Sequence, residues 1–135
     1  MVDDWLGSMR AAVFIVDDDD EWQRSMRRTL RDLGVRRVYQ VSSEDDVEDL
    51  LSGFDSCVVL TDLRLGNDAL GGLGIVDAAH RFGLPAAIVA TCRPARLEHL
   101  RAVSFLSKTD VNAASIRTLL RRLEQKLPGP ARVLD

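Results

Sequence analysis

Lysine is nearly absent from this chain of 135 residues: Lys108 and Lys126 stand against sixteen arginines. A lysine at an unusual place therefore calls for a reason. Cysteine is scarce too. Cys57 and Cys92 make no disulfide framework, and no Cys/His spacing resembles a zinc site, so a reducing, cytoplasmic setting is the expectation. No apolar run approaches the roughly eighteen residues of a membrane helix. The stretch MVDDWLGSMR is acidic and carries no apolar segment, so export is not expected. A basic excess is also missing: the formal net charge of −3 argues against a nucleic-acid binder.

What is present suits one soluble globular domain. Hydrophobic residues make up 46% and charged residues 29%, and a chain of this size buries about two thirds of its unfolded surface without metal or disulfide staples. The domain is expected over 11–127, between tails at 1–10 and 128–135.

Strand and helix patterns alternate along it. Ala11–Val16, Cys57–Thr61 and Ala86–Thr91 are short continuous apolar runs, as expected for strands buried on both faces. Val38–Val41 and Val103–Ser107 complete a set of five. Between them, apolar residues recur at helical spacing: Trp22, Met26, Leu30 and Leu33 before Gly34; Val47, Leu50 and Leu51 after a Ser43 cap; Ile75, Val76 and Ala79 before Gly83; Leu97 and Leu100 after Pro94; Ile116, Leu119, Leu120, Leu123 and Leu127 after Asp110 or Asn112. Asp62–Gly72 reads as a loop. Five alternating units of this kind predict an α/β fold, a doubly wound parallel sheet of order 2-1-3-4-5. Ligands of such sheets bind at the carboxyl ends of the strands, at the switch point between strands 1 and 3.

The residues at that edge are chemically distinctive. Strand 1 runs into Asp17 and Asp18, strand 3 into Asp62, strand 4 ends at Thr91, and strand 5 runs into Lys108. Two carboxylates 4 Å apart repel by about 4 kcal/mol at an effective dielectric near 20. Three together need a cation or a proton. Lys108 supplies one positive charge, and Mg²⁺, which shares its shell with waters and phosphate, suits the rest. The set fits a phosphoryl group, with a carboxylate as nucleophile. The remaining conspicuous residues read as structural. Asp19 and Asp20 suit helix capping, Trp22 suits packing, Arg24, Arg27, Arg28 and Arg31 suit a solvated helix face, and His80 and His99 carry no assigned chemistry.

From Ala12 to Leu127 the chain resembles the receiver domain of two-component response regulators, of the single-domain, chemotaxis type and flavodoxin-like fold. The likeness is carried by IVDD at Ile15–Asp18, VVLTDLRL at Val58–Leu65, IVAT at Ile88–Thr91 and FLSK at Phe105–Lys108, in this order and strand context. The resemblance implies Asp62 as phosphoacceptor. It implies Mg²⁺ held by Asp17, Asp18, Asp62 and the backbone carbonyl of Arg64. Thr91 and Lys108 would contact the phosphoryl group, and Phe105 takes the aromatic switch position. The implied donor is a histidine kinase or histidine phosphotransfer protein, and the implied role is a signalling phospho-switch and not a conventional enzyme.

The chain also departs from the family. Thr109 replaces the proline after the lysine, Gly66 replaces the proline four residues past the acceptor, Cys92 replaces a very small residue, and Arg93–Ala102 leaves about two turns for a shortened fourth helix. A short fourth helix weakens the family's dimer face, so a monomer docking on a separate protein is expected, with no nucleic acid or membrane as partner. Two other readings compete. A haloacid-dehalogenase-like phosphatase would use Asp18, Asp20, Thr91 and Lys108, but it needs an acidic pair after the lysine and leaves Asp62 idle. A pseudo-receiver would keep the fold as an interaction module without phosphate.

Overall fold

The computed structural model of the protein describes residues 11–43, 47–91 and 104–127. Strands β1 (Ala12–Val16), β2 (Val38–Val41), β3 (Cys57–Thr61), β4 (Ala86–Ala90) and β5 (Ser104–Ser107) form one sheet in the order β2-β1-β3-β4-β5. Every pairing is parallel, which is the expected topology. The described helices are α1 (Asp20–Asp32), α2 (Val47–Leu51), α3 (Gly71–Arg81) and α4 (Ala113–Glu124). The segment expected to form a short fourth helix, with Cys92 and His99, lies outside the described residues, so α4 is the final helix of the sequence reading.

β1, β3 and β4 are buried along their whole length because helices cover both faces of the sheet. The two-residue period of a strand divides the core. Phe14, Val16, Val59 and Ile88 pack with Leu51, Ile75, Val76 and Ala79, which places α2 and α3 on one face. Val13, Ile15, Leu60 and Val89 pack with Met26, Leu30, Ile116, Leu120 and Leu123, which places α1 and α4 on the other. Each of the larger of these side chains contributes roughly 1.5–3 kcal/mol when fully buried.

Local chemistry sets the helix starts. The carboxylate of Asp19 accepts the N–H of Trp22 at 3.1 Å and caps α1, with Asp20 and Glu21 in its first turn, as the capping reading expects. Of the two candidates for α4, Asn112 is the cap, in a reciprocal box with Ser115. α3 differs from the expectation, starting at Gly71 inside the stretch read as loop. Gly71 and Gly72 are poor helix formers, and what fixes them is a tertiary bond, the Gly72 N–H donating to the Leu63 carbonyl at 2.7 Å. Leu50 is a second correction: it is 43% exposed, while Val47 and Leu51 bury α2. A helix of five residues presents one narrow stripe, and Leu50 falls beside it.

Candidate functional site

The register builds the site. Val16 pairs with Thr61, so Asp17 and Asp62 leave adjacent strands side by side, about 4.8 Å apart at the backbone. Asp18 follows at once. Oxygens of Asp17, Asp18 and Asp62 lie within 4.8 Å of one another. Their environments differ: Asp17 is buried, Asp62 is half-buried and Asp18 is exposed.

Lys108 completes the cluster from the far side. It opens a 3-10 turn, Lys108–Asp110, directly after β5. β5 is separated from β1 by β4 and β3, so the side chain reaches back over two strand ends. Its ammonium lies 3.0 Å from Asp17 Oδ2 and 3.3 Å from Asp62 Oδ2. Ser107 holds the turn, its Oγ accepting the Thr109 N–H at 3.3 Å and lying 2.8 Å from Thr109 Oγ1. A hydroxyl pair, Ser107 and Thr109, thus flanks Lys108 in the turn.

Backbone donors orient the acids. Asp17 Oδ1 accepts the Asp19 N–H at 2.9 Å and Asp62 Oδ1 accepts the Leu63 N–H at 2.8 Å. Asp18 Oδ2 accepts the N–H of Gly66 at 3.0 Å. Gly66 sits in a tight turn closed by the two backbone bonds between Leu65 and Asp68, with φ at +58°. That left-handed conformation suits glycine, and proline could not donate the bond.

Three further residues support the site and carried no functional signal in the sequence. Buried Gln23 donates to the carbonyls of Asp17 at 2.5 Å and Val41 at 2.6 Å, tying α1 to the ends of β1 and β2. Gly72 lets α3 approach the loop after β3: a Cβ there would overlap the Asp62 carbonyl oxygen and lie 2.8 Å from Leu63 Cα. Trp22 packs against the core of its face as expected, but its ring also meets the Lys108 ammonium, 4.8 Å from the centroid. An i, i+4 apolar pattern announces the first contact and is silent about the second.

The electrostatics follow from burial and crowding. Burial pushes the Asp17 carboxyl up from 3.8, and Asp62 adds to the rise, against the lowering influence of the Asp19 N–H and Lys108. Burial alone would lower the Lys108 ammonium, but Asp17 and Asp62 outweigh it and hold it above 10.5. Asp17 Oδ2 is buried and lacks an aligned hydrogen bond although Lys108 is beside it. Three carboxylates and one ammonium leave two negative charges uncompensated. The donor set, all oxygen and partly open to solvent, fits a hard divalent cation.

The other expected site residues are placed as follows. Arg64 is exposed in the loop after β3, its Nε 3.5 Å from the Gly66 carbonyl. Thr91 follows β4 at the same sheet edge and is exposed. Phe105 lies on β5 opposite Ile88 and packs, half-buried, on the α2/α3 face, away from the acids.

No protein-family model matches the sequence, and no curated protein matches it. Solved structures do. The receiver domain of a sensor histidine kinase from Pseudomonas aeruginosa, with a magnesium ion coordinated in its active-site cleft, is 19% identical with a TM-score of 0.70, over 85% of this chain and 98% of that one. The receiver domain of a histidine kinase from Arabidopsis thaliana, in complex with Mg²⁺ and BeF₃⁻, is 21% identical with a TM-score of 0.63, over 89% and 95%. A pilus assembly-related protein from Burkholderia pseudomallei is 19% identical with a TM-score of 0.69, over 92% and 95%. These likenesses are of fold: the chain is a five-stranded, flavodoxin-like receiver fold, with an acidic cluster at its switch point.

Proposed function

We propose that this chain is the phospho-accepting receiver of a two-component phosphorelay, with Asp62 as the acceptor. The observation that supports the reading best is the cluster itself: Asp17, Asp18 and Asp62 within 4.8 Å of one another, with Lys108 3.3 Å from Asp62 Oδ2. In this reading Asp17, Asp18, Asp62 and the Arg64 carbonyl hold Mg²⁺. When bound, Mg²⁺ supplies neutralisation of the charge that gathers on the transferring group.

The chain's own residues do the rest. An Asp62 oxygen attacks phosphorus, the bond to the donor's imidazole nitrogen breaks, and the imidazole leaves with its electron pair and takes a proton. Such transfers depend mainly on positioning and charge stabilisation. The Leu63 N–H fixes the Asp62 carboxylate. Lys108 turns its ammonium from Asp17 toward the phosphoryl oxygens, and the Thr91 hydroxyl comes to meet them. Phe105 reports the change on the opposite sheet face. The donor is a histidine kinase or phosphotransfer protein, and the module signals without turning over a substrate. Monomeric signalling belongs to the same proposal; the helix on which that expectation rests lies outside the described residues.

A second reading, an interaction module that works without phosphate, draws on one feature. Lys108 already bridges Asp17 and Asp62, and Asp18 is engaged by Gly66. Labelling with a small phosphodonor and Mg²⁺ separates the two. Incorporation lost in Asp62→Asn supports the relay, and no incorporation in the parent overturns it.

A further inference from the structure

We infer that Trp22 is a positioning residue for Lys108, an aromatic cap that holds the ammonium where an incoming phosphoryl group would meet it. The inference rests on the phospho-acceptor reading and adds to it a residue to which that reading gives no role.

Lys108 has a difficult task. Its side chain starts beyond an edge strand and ends between acids that follow two inner strands, β1 and β3. A lysine stem is among the costliest to immobilise, and an ammonium is a point charge without the fork of arginine to fix its direction. Two carboxylates hold it in the resting state, but both have other duties: Asp62 is the acceptor and Asp17 a metal ligand. When a cation takes up Asp17 and Asp62, the ion pairs that now place Lys108 weaken. The Trp22 ring is a neighbour that neither a cation nor a phosphoryl group takes up as a ligand. Its face attracts a cation through the ring quadrupole, Trp more strongly than Phe or Tyr, and the ammonium lies 4.8 Å from its centroid.

The ring is itself well held. The Trp22 backbone N–H donates to the Asp19 cap at 3.1 Å, which fixes its place on the helix, its side chain packs on the core of the α1/α4 face, and the next residue, Gln23, anchors α1 to β1 and β2. The acidic run Asp17–Asp20 and Trp22 thus form one unit in which the strand end binds, the cap fixes the helix and the third helical residue reaches the lysine.

The near-absence of lysine provides the test. Lys126 is exposed and serves as an internal reference for NMR of the two ε-methylene groups. In the parent, the Lys108 signals are expected upfield of those of Lys126, shifted by the ring current. In Trp22→Leu that difference collapses. Beryllofluoride binding in the presence of Mg²⁺ weakens by about three- to tenfold, the range of a partly desolvated cation–π contact. Trp22→Phe recovers much of both effects. Mg²⁺ binding alone, which needs only the acids, does not weaken in either variant, which separates loss of positioning from loss of fold. If Trp22→Leu keeps parental beryllofluoride affinity, or if the Lys108 signals already coincide with those of Lys126 in the parent, the inference is overturned. A parent that binds no beryllofluoride at all overturns the phospho-acceptor reading and this role with it, whereas the lysine shifts still report whether the contact exists.

Discussion

Asp17 is the buried acid of the cluster, and its environment has a thermodynamic signature. Its folded pKa is raised above the ordinary 3.8, first by burial, so in this range the folded state binds more protons than the unfolded state. Stability then falls as pH rises above 3.8 through the raised value. In metal-free protein, the melting temperature of Asp17→Asn relative to the parent is therefore expected to improve as pH rises through that window. A difference independent of pH would contradict the burial argument. Asp62→Asn behaves otherwise. It keeps the oxygen that accepts the Leu63 N–H and removes one of three crowded charges, so phosphodonor labelling disappears while stability holds or rises by up to about 1 kcal/mol. Cys57 is a control of a different kind. It is buried and its thiol is pushed up to about 12, so in a Cys92→Ser background, iodoacetamide at pH 8 should leave the folded chain unmodified and react only after denaturation. The acids and Lys108 are legible in the sequence because polar residues at the ends of buried strands have few other reasons to converge. Gln23, Trp22 and Gly72 are not, since each acts through a contact with a distant element that no local period records.

The strands read well from sequence because a strand covered on both faces is a continuous apolar run, and β2 and β3 have the boundaries expected. Helices read well where a cap and an apolar stripe agree, as in α1 and α4. α3 does not, because its first turn is made of glycines selected by space and not by helix propensity. That difference makes Gly72 a test of how an element shapes the site. In Gly72→Ala the new Cβ meets backbone on the Asp62–Leu63 side, where neither partner can rotate away, so α3 or the loop after β3 must shift. A loss of about 2–3 kcal/mol is expected, the upper range for overpacking, together with weaker Mg²⁺ binding because Asp62 is carried on the displaced loop. Gly74→Ala is the control: it lies in the same helix with no atom within 4 Å of an added Cβ and should be neutral or slightly stabilising. Chemical denaturation and calorimetric Mg²⁺ titration of the two variants check both statements. Equal stability for both would mean that the close approach does not constrain the fold.

At the scale of the whole molecule, Lys108 links one edge of the sheet to its interior. β5 is hydrogen-bonded only to β4 among the described strands, and Lys108 ties its end to Asp17 and Asp62 on β1 and β3. A metal ion at the cluster would draw on the same carboxylates as Lys108, so the two should compete as well as cooperate. Replacing Lys108 with Met keeps most of the stem and removes the charge. Without metal, the variant leaves buried Asp17 uncompensated, and breaking such a pair costs about 3–5 kcal/mol when fully buried. Because the Lys108 side chain is 16% exposed, a loss of roughly 2–3 kcal/mol is the better expectation. With metal, the sign turns. The cluster now presents three negative charges to the ion without a neighbouring ammonium to repel it, and Mg²⁺ should bind about tenfold more tightly than in the parent. By linkage, millimolar Mg²⁺ then stabilises the variant more than the parent, and the gap in melting temperature between them narrows as Mg²⁺ is added. Amide exchange locates the remaining loss. β5 should exchange faster in Lys108→Met with or without metal, because Mg²⁺ replaces the charge but not the covalent reach from the edge strand, while β1 and β3 recover protection when the ion binds. Unchanged Mg²⁺ affinity in the variant would show that the lysine and the ion do not share the same carboxylates, and would remove the electrostatic basis for placing a divalent cation there.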